Sequence, residues 1–105
     1  MKVFISQPMR DRLQEAIEVE RDMIFQEFQR RHPNEEVEIV RSYDPSLAKM
    51  PLVYALGFSI QMLAQADYVV FAPNWETGRG CRIEHQVCVD YGIPHLDLSD
   101  HYGKD

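Results

Sequence analysis

At 105 residues the chain is expected to form one domain, able to bury a core without disulfide staples. Its composition, 45% hydrophobic and 27% charged, is that of a globular protein, and a formal charge of −6 argues against a nucleic-acid duplex or an anionic membrane as main partner. No apolar run reaches the ~18 residues a bilayer span needs, and the start lacks the basic, apolar and small-residue layout of a signal peptide, so a cytoplasmic location is expected.

Lys2 to Ser6 is short, apolar and reads as a central parallel strand. Ser6-Gln7-Pro8-Met9 stops it, because Pro8 disfavours both strand continuation and a helix beginning at Gln7. Asp11 to His32 reads as a long helix with Leu13, Ala16, Ile17, Ile24 and Phe28 at helical spacing, widened by Met23 and Phe25. Glu15, Glu18, Glu20, Arg21, Gln29 and Arg30 fill the other face and read as solvated. Glu36 to Val40 alternates as an edge strand. In the polar loop that follows, Tyr43 is a candidate for stacking on a base or sugar and Asp44 for accepting from a ribose hydroxyl. The other reading of Asp44-Pro45 is a plain Asx-Pro turn.

Pro51 to Gln65 is the second expected helix, with Leu52, Leu56, Ser59, Ile60 and Leu63 on its inner stripe. Tyr68 to Ala72 is a continuous β-branched and aromatic run, the pattern of a strand buried on both faces. Asp67, just before it, reads as a turn or capping residue. Pro73 and Asn74 break the run, and Thr77, Gly78 and Gly80 precede a third helix holding Ile83, Val87 and Tyr91. Cys81 and Cys88, two turns apart on that helix, are too distant to bridge and are expected to be reduced and partly buried. Pro94 to Leu98 reads as a fourth strand, and Ser99 to Asp105 as a polar, frayed tail. His85, His95 and His101 have no sequence neighbour that marks them as metal ligands.

Three crossovers long enough to hold helices predict an α/β fold, a flavodoxin-like, doubly wound parallel sheet of four strands in the order 2-1-3-4 with three helices. Ligands in such sheets sit at the carboxyl ends of the strands where the order reverses. That point collects Ser6, Gln7, Pro8 and Met9 with Asn74, Trp75, Gly78, Arg79 and Gly80. Side chains in a helix lean toward its N-terminus, so Glu84 is expected to project its carboxylate over Gly80, with space in front of it. The plainer reading makes Glu84 a surface helix glutamate.

Asp67-Tyr-Val-Val70, Gly80-Cys-Arg-Ile-Glu84 and Tyr91-Gly-Ile-Pro94, in that order, resemble the signature of the nucleoside 2-deoxyribosyltransferase-like superfamily. Phe4-Ile-Ser-Gln-Pro-Met9 is similar to the strand and Ser-Gly-Pro-Met loop of a small phage and bacterial branch of it. Two departures stand out. Gln7 replaces the usual glycine, and Ser59 stands where the characterised transferases carry an aspartate, eight residues before Asp67. The resemblance implies cleavage or transfer at the N-glycosidic bond of a (deoxy)nucleoside or its 5′-monophosphate. Glu84 would then be the nucleophile or oxocarbenium stabiliser, with Glu76, beside the indole of Trp75, as proton donor. Arg79 or Arg82 would supply charge toward a phosphate. Neither a metal nor a redox cofactor is implied, and the small ligand would be bound by a homo-oligomer. The alternatives are a non-catalytic nucleotide- or nucleoside-binding module that has lost its second carboxylate, and an interaction protein with a vestigial cleft.

Overall fold

In a computed structural model, which describes residues 1–42 and 44–98, the chain runs β1 (Lys2–Ser6), α1 (Gln14–Arg31), β2 (Glu38–Val40), a 3₁₀ turn (Pro45–Lys49), α2 (Leu52–Leu63), β3 (Tyr68–Phe71), a second 3₁₀ turn (Trp75–Thr77), α3 (Arg79–Tyr91) and β4 (His95–Asp97). Tyr43, with its expected stacking role, and the tail from Ser99, including His101, lie outside the described residues. All pairings are parallel, and the strand order is β2-β1-β3-β4, as the sequence predicts for this flavodoxin-like fold. Among the described residues no helix is long and apolar enough to cross a membrane.

Strand alternation divides the core in two. Val3 and Ile5 of β1, with Val70 and Ala72, meet Ile24 and Phe28 of α1 on one face of the sheet. Phe4, Val69 and Phe71 meet Leu63 of α2 and Cys88 of α3 on the other. Covering both faces is why the central strands read as unbroken apolar runs.

The helices depart from the sequence reading in instructive ways. α1 begins at Gln14 rather than Asp11, because Asp11 takes a left-handed conformation (φ 61°) and the chain stays irregular through Leu13. Ile17, Ile24 and Phe28 point inward, whereas Leu13 (76% exposed), Ala16 and Met23 face outward. The helix carries two apolar stripes, and a sheet whose inner strands hold five and four residues covers only one of them. On α2, Leu63 is buried and Leu56, Ser59 and Ile60 are half-buried, but Leu52 is exposed. On α3 the buried stripe is Cys81, Glu84 and Cys88; Val87 packs half-buried beside it, whereas Ile83 and Tyr91 face outward, Tyr91 80% exposed. Small residues face the sheet here because the helix start is drawn close. A Cβ on Gly78 would lie 3.1 Å from Cys81 Sγ and 3.5 Å from Pro8 Cα.

Two motifs resolve into structural duties. Gly92 ends α3 in the left-handed region (φ 66°), and the Ile93 amide returns to the Cys88 carbonyl at 2.9 Å, so the Gly-Ile-Pro run is a helix stop. The Asp67 carboxylate accepts from the Lys2 amide at 2.7 Å, at the end of the sheet away from the crevice, the capping role its position suggests. Asp67→Ala should cost about 1 kcal/mol of stability in urea unfolding, with Asp67→Asn recovering most of it because an amide oxygen also accepts.

Candidate functional site

The strand order reverses between β1 and β3, and there a buried carboxylate joins three elements. β1 ends at Ser6, α3 places Glu84 one turn inside its start, and α2 presents Ser59 from the same side. The Ser6 hydroxyl donates to Glu84 Oε1 at 2.7 Å, and the Ser59 hydroxyl donates to Oε2 at 2.5 Å. Glu84 is 6% exposed. This corrects the expectation of open space before Glu84: with α3 rotated onto its Cys81–Glu84–Cys88 face, the carboxylate points between β1 and α2. Burial pushes its carboxyl above the ordinary carboxylate range, and the Ser59 and Ser6 hydroxyls hold part of that rise back by stabilising the charge. Burial likewise pushes the neighbouring Cys81 thiol up to about 11; a hydrogen bond with Ser6 opposes this, and the charges of Glu84 and Glu20 add to it. Cys88 is also raised to about 11, first by burial. Both cysteines are free, buried thiols.

Ser59 is thus a partner of Glu84. Counting eight residues back from Asp67 does find the α2 position that faces the site, but the side chain there donates a hydrogen bond and brings no second carboxylate.

A second network lies on the α1 side. Gln7 is buried, and its Nε2 donates to the Ile17 carbonyl at 3.2 Å and to Glu20 Oε1 at 3.0 Å. Arg12 Nη1 bridges Glu20 Oε1 and the Pro8 carbonyl, both at 2.8 Å. Arg21 reaches the Ser42 hydroxyl and the Val40 carbonyl, each at 3.4 Å, and burial lowers its pKa. Glu20 and Arg21 therefore do not belong to a solvated face, which corrects the sequence reading. Period-3.6 counting sets them three and four residues after Ile17, on the same side as the buried Ile17, Ile24 and Phe28, where the loop that folds over the helix start meets them. Gln7 uses its side chain to lock that loop to α1.

Pro8, Arg12 and Glu20 face Pro73, Asn74 and Thr77 across a cleft of about 380 Å³. It lies at the expected strand ends, yet Arg12 and Glu20 were not among the candidates. Met9, next to Pro8, is exposed, as is Arg79 at the start of α3; Gly78 and Gly80 are half-buried. A Cβ at Gly80 would meet Leu56 Cδ1 at 3.7 Å, an ordinary contact. Asn74 is exposed and left-handed (φ 66°), and its carbonyl accepts from the Thr77 hydroxyl at 2.7 Å. Glu76 is exposed, and its carbonyl accepts from Arg82 Nη1 at 2.9 Å. Trp75 stacks flat on His85, 3.9 Å between centroids, with an interplanar angle of 9°. Asp44 caps the first 3₁₀ turn: its side chain accepts from the Ser46 amide at 2.9 Å, and Arg41 lies 3.5 Å away. That bond with Ser46, foremost, holds its carboxyl below the usual range, the arrangement of the plainer Asx-Pro turn.

His85, His95 and Asp97 also gather at the end of β4, with His85 Nε2 3.0 Å from both Asp97 oxygens. The available signal was His-x-Asp on a strand, which puts both side chains on one face.

A family model described as "Domain of unknown function (DUF4406)" matches residues 1–96. No curated protein and no solved structure matches the chain.

The raised carboxyl gives a stability signature. The folded chain holds the Glu84 proton above the ordinary value of 4.5, so the stability it confers is full below that value and is lost as pH rises through the folded pKa. Glu84→Gln removes that loss. The variant should melt above the wild type near pH 7, with the gain vanishing at about pH 4. A lower Tm near neutrality would mean that the two serine bonds outweigh the burial of charge.

Proposed function

The chain belongs to the DUF4406 family, and we propose that it cleaves or transfers at the N-glycosidic bond of a (deoxy)nucleoside or nucleoside 5′-monophosphate, with Glu84 as the group that meets the sugar. The observation that carries this reading is the buried, serine-held Glu84 carboxylate at the strand-order switch point. Departure of a base leaves positive charge on the anomeric carbon, and a carboxylate in a dry setting answers that charge far better than one in water. Ser6 and Ser59 orient both oxygens. The bond that forms joins one Glu84 oxygen to the anomeric carbon as the carbon–nitrogen bond breaks, and the electron pair leaves with the base. Glu76, on the turn that follows Asn74, supplies the proton the base takes up. Water or a second base then displaces the sugar from Glu84. The cleft between Pro8–Arg12 and Asn74–Thr77 is of a size for a nucleoside, and Arg79, exposed at the start of α3, is a cation for a 5′-phosphate. The resemblance of Asp67–Val70 and Gly80–Glu84 to the deoxyribosyltransferase-like signature supports the same substrate class.

The second reading, a nucleotide-binding module without catalysis, draws on one observation. Both Glu84 oxygens are already engaged by serines, and no carboxylate hydrogen-bonds with it among the described residues, whereas retaining glycosidases set two carboxyl groups roughly 5 Å apart.

The chain also works as a homo-oligomer in this proposal. α2 carries no charged residue from Leu52 to Leu63, yet Leu52, Val53 and Tyr54 stand exposed in its first turn, an apolar patch that a second copy would cover. Light scattering at micromolar concentration should give a multiple of the monomer mass; a monomer would contradict it.

Chromatographic product analysis over a panel of nucleosides and 5′-monophosphates tests the chemistry. Wild type should release free base, and Glu84→Gln should lose release by a factor on the order of 10³ while staying folded. No release from any substrate, together with a thermal shift by one of them, would replace the enzyme with the binding module.

A further inference from the structure

We propose that His85, His95 and Asp97 form a binding site for a divalent transition-metal ion, of the zinc class, distinct from the Glu84 site. One ligand atom from each residue lies within 4.8 Å of the other two. Ligands around tetrahedral zinc stand about 3.4 Å apart when the bonds are ~2.0–2.1 Å, so the set needs to close by little more than 1 Å. The His85–Asp97 edge is already that short, at 3.0 Å.

Three features set the trio apart from a casual surface cluster. First, His95 is held in one tautomer. Its Nδ1 lies 2.8 Å from the Ile93 carbonyl, which can only accept, so Nδ1 carries the hydrogen and Nε2 keeps its lone pair. A backbone carbonyl behind the non-ligating nitrogen is the usual outer support of a metal-bound histidine. Second, the His85 ring is clamped. It stacks on Trp75, and the edge-on Phe71 ring sits 4.7 Å away, so little rotamer freedom remains to be lost on binding. Third, the access is graded. The His85 side chain is 18% exposed and that of Asp97 45%, which leaves an aromatic wall on one side and solvent on the other. Two imidazoles and one carboxylate suit zinc, nickel, copper or iron, whereas calcium and magnesium take oxygen ligands. The remaining coordination positions go to water. An ion here would brace the Trp75–Thr77 turn through the Trp75–His85 stack, and that turn borders the cleft.

The sequence contains a single tryptophan, Trp75, which makes its fluorescence a local reporter. Untagged, chelator-stripped protein should bind zinc at one ion per chain by calorimetry, and cobalt or nickel should quench Trp75 with the same stoichiometry. Asp97→Asn and His95→Gln should each weaken binding by at least about tenfold, while His32→Gln, remote from the trio, stays within about twofold. Asp97 is largely solvent-facing, so its variant keeps the fold and separates lost ligation from lost structure. The absence of saturable one-to-one binding would overturn the site. So would affinities within about twofold of wild type for both ligand variants.

Discussion

The Glu84 carboxylate, caught between the Ser6 and Ser59 hydroxyls, is the interaction on which the arrangement around it depends. A charge taken out of water costs several kcal/mol unless donors replace the lost hydration. Here the donors come from β1 and α2 while the carboxylate comes from α3, so its solvation is also the tie among three elements. The same tie sets the rotation of α3: with Glu84 turned inward, Cys81 and Cys88 follow it to the sheet, and Ile83 and Tyr91 are carried out to solvent. An apolar residue at position 84 would serve packing as well. A buried charged group at the strand-order switch point is what makes the position a functional candidate.

Ser6 and Gln7 show how one strand end serves both faces. Neighbouring residues of extended chain point oppositely. Ser6 turns to α2 and α3, and Gln7 turns to α1, where it meets Glu20 and the Arg12 clamp on the Pro8 carbonyl. The loop after β1 is consequently fixed from two sides, and the cleft wall it forms is set in place before any ligand arrives.

The fold was legible because its signals are local and redundant: two short apolar runs for the inner strands, two alternating ones for the edges, three amphipathic stretches, and crossovers too long for hairpins. The choice of face was not. α1 holds two apolar stripes, and nothing in the order of Leu13, Ile17 and Met23 says which meets the sheet. On α3 the bulkier Ile83 and Tyr91 outweigh Cys81 and Cys88 in any hydrophobic count, although the close approach at Gly78 favours the smaller pair. Within the site, Glu84 and Ser6 were readable from position, since both follow from the ends of strands. Arg12 and its bond to Glu20 were not, because they depend on how a seven-residue irregular segment folds back over α1, and the serine bond from α2 depends on how α2 and α3 pack. Ser59 read as a loss against an expected aspartate; its hydroxyl in fact completes the carboxylate's shell.

The parallel ladders also set the order in which the molecule can be built. Lys2 pairs with Glu38, and Val3 with Tyr68, so β1, which precedes both of its neighbours in the chain, is one of the two inner strands. No ladder closes through a tight turn, and the whole sheet waits on distant contacts. During synthesis, Val3, Phe4 and Ile5 leave the ribosome long before β3 exists to flank them. The nascent chain thus carries an apolar inner strand without its β3 neighbour while α1, β2 and α2 are made, the interval in which a holding chaperone would find its footing.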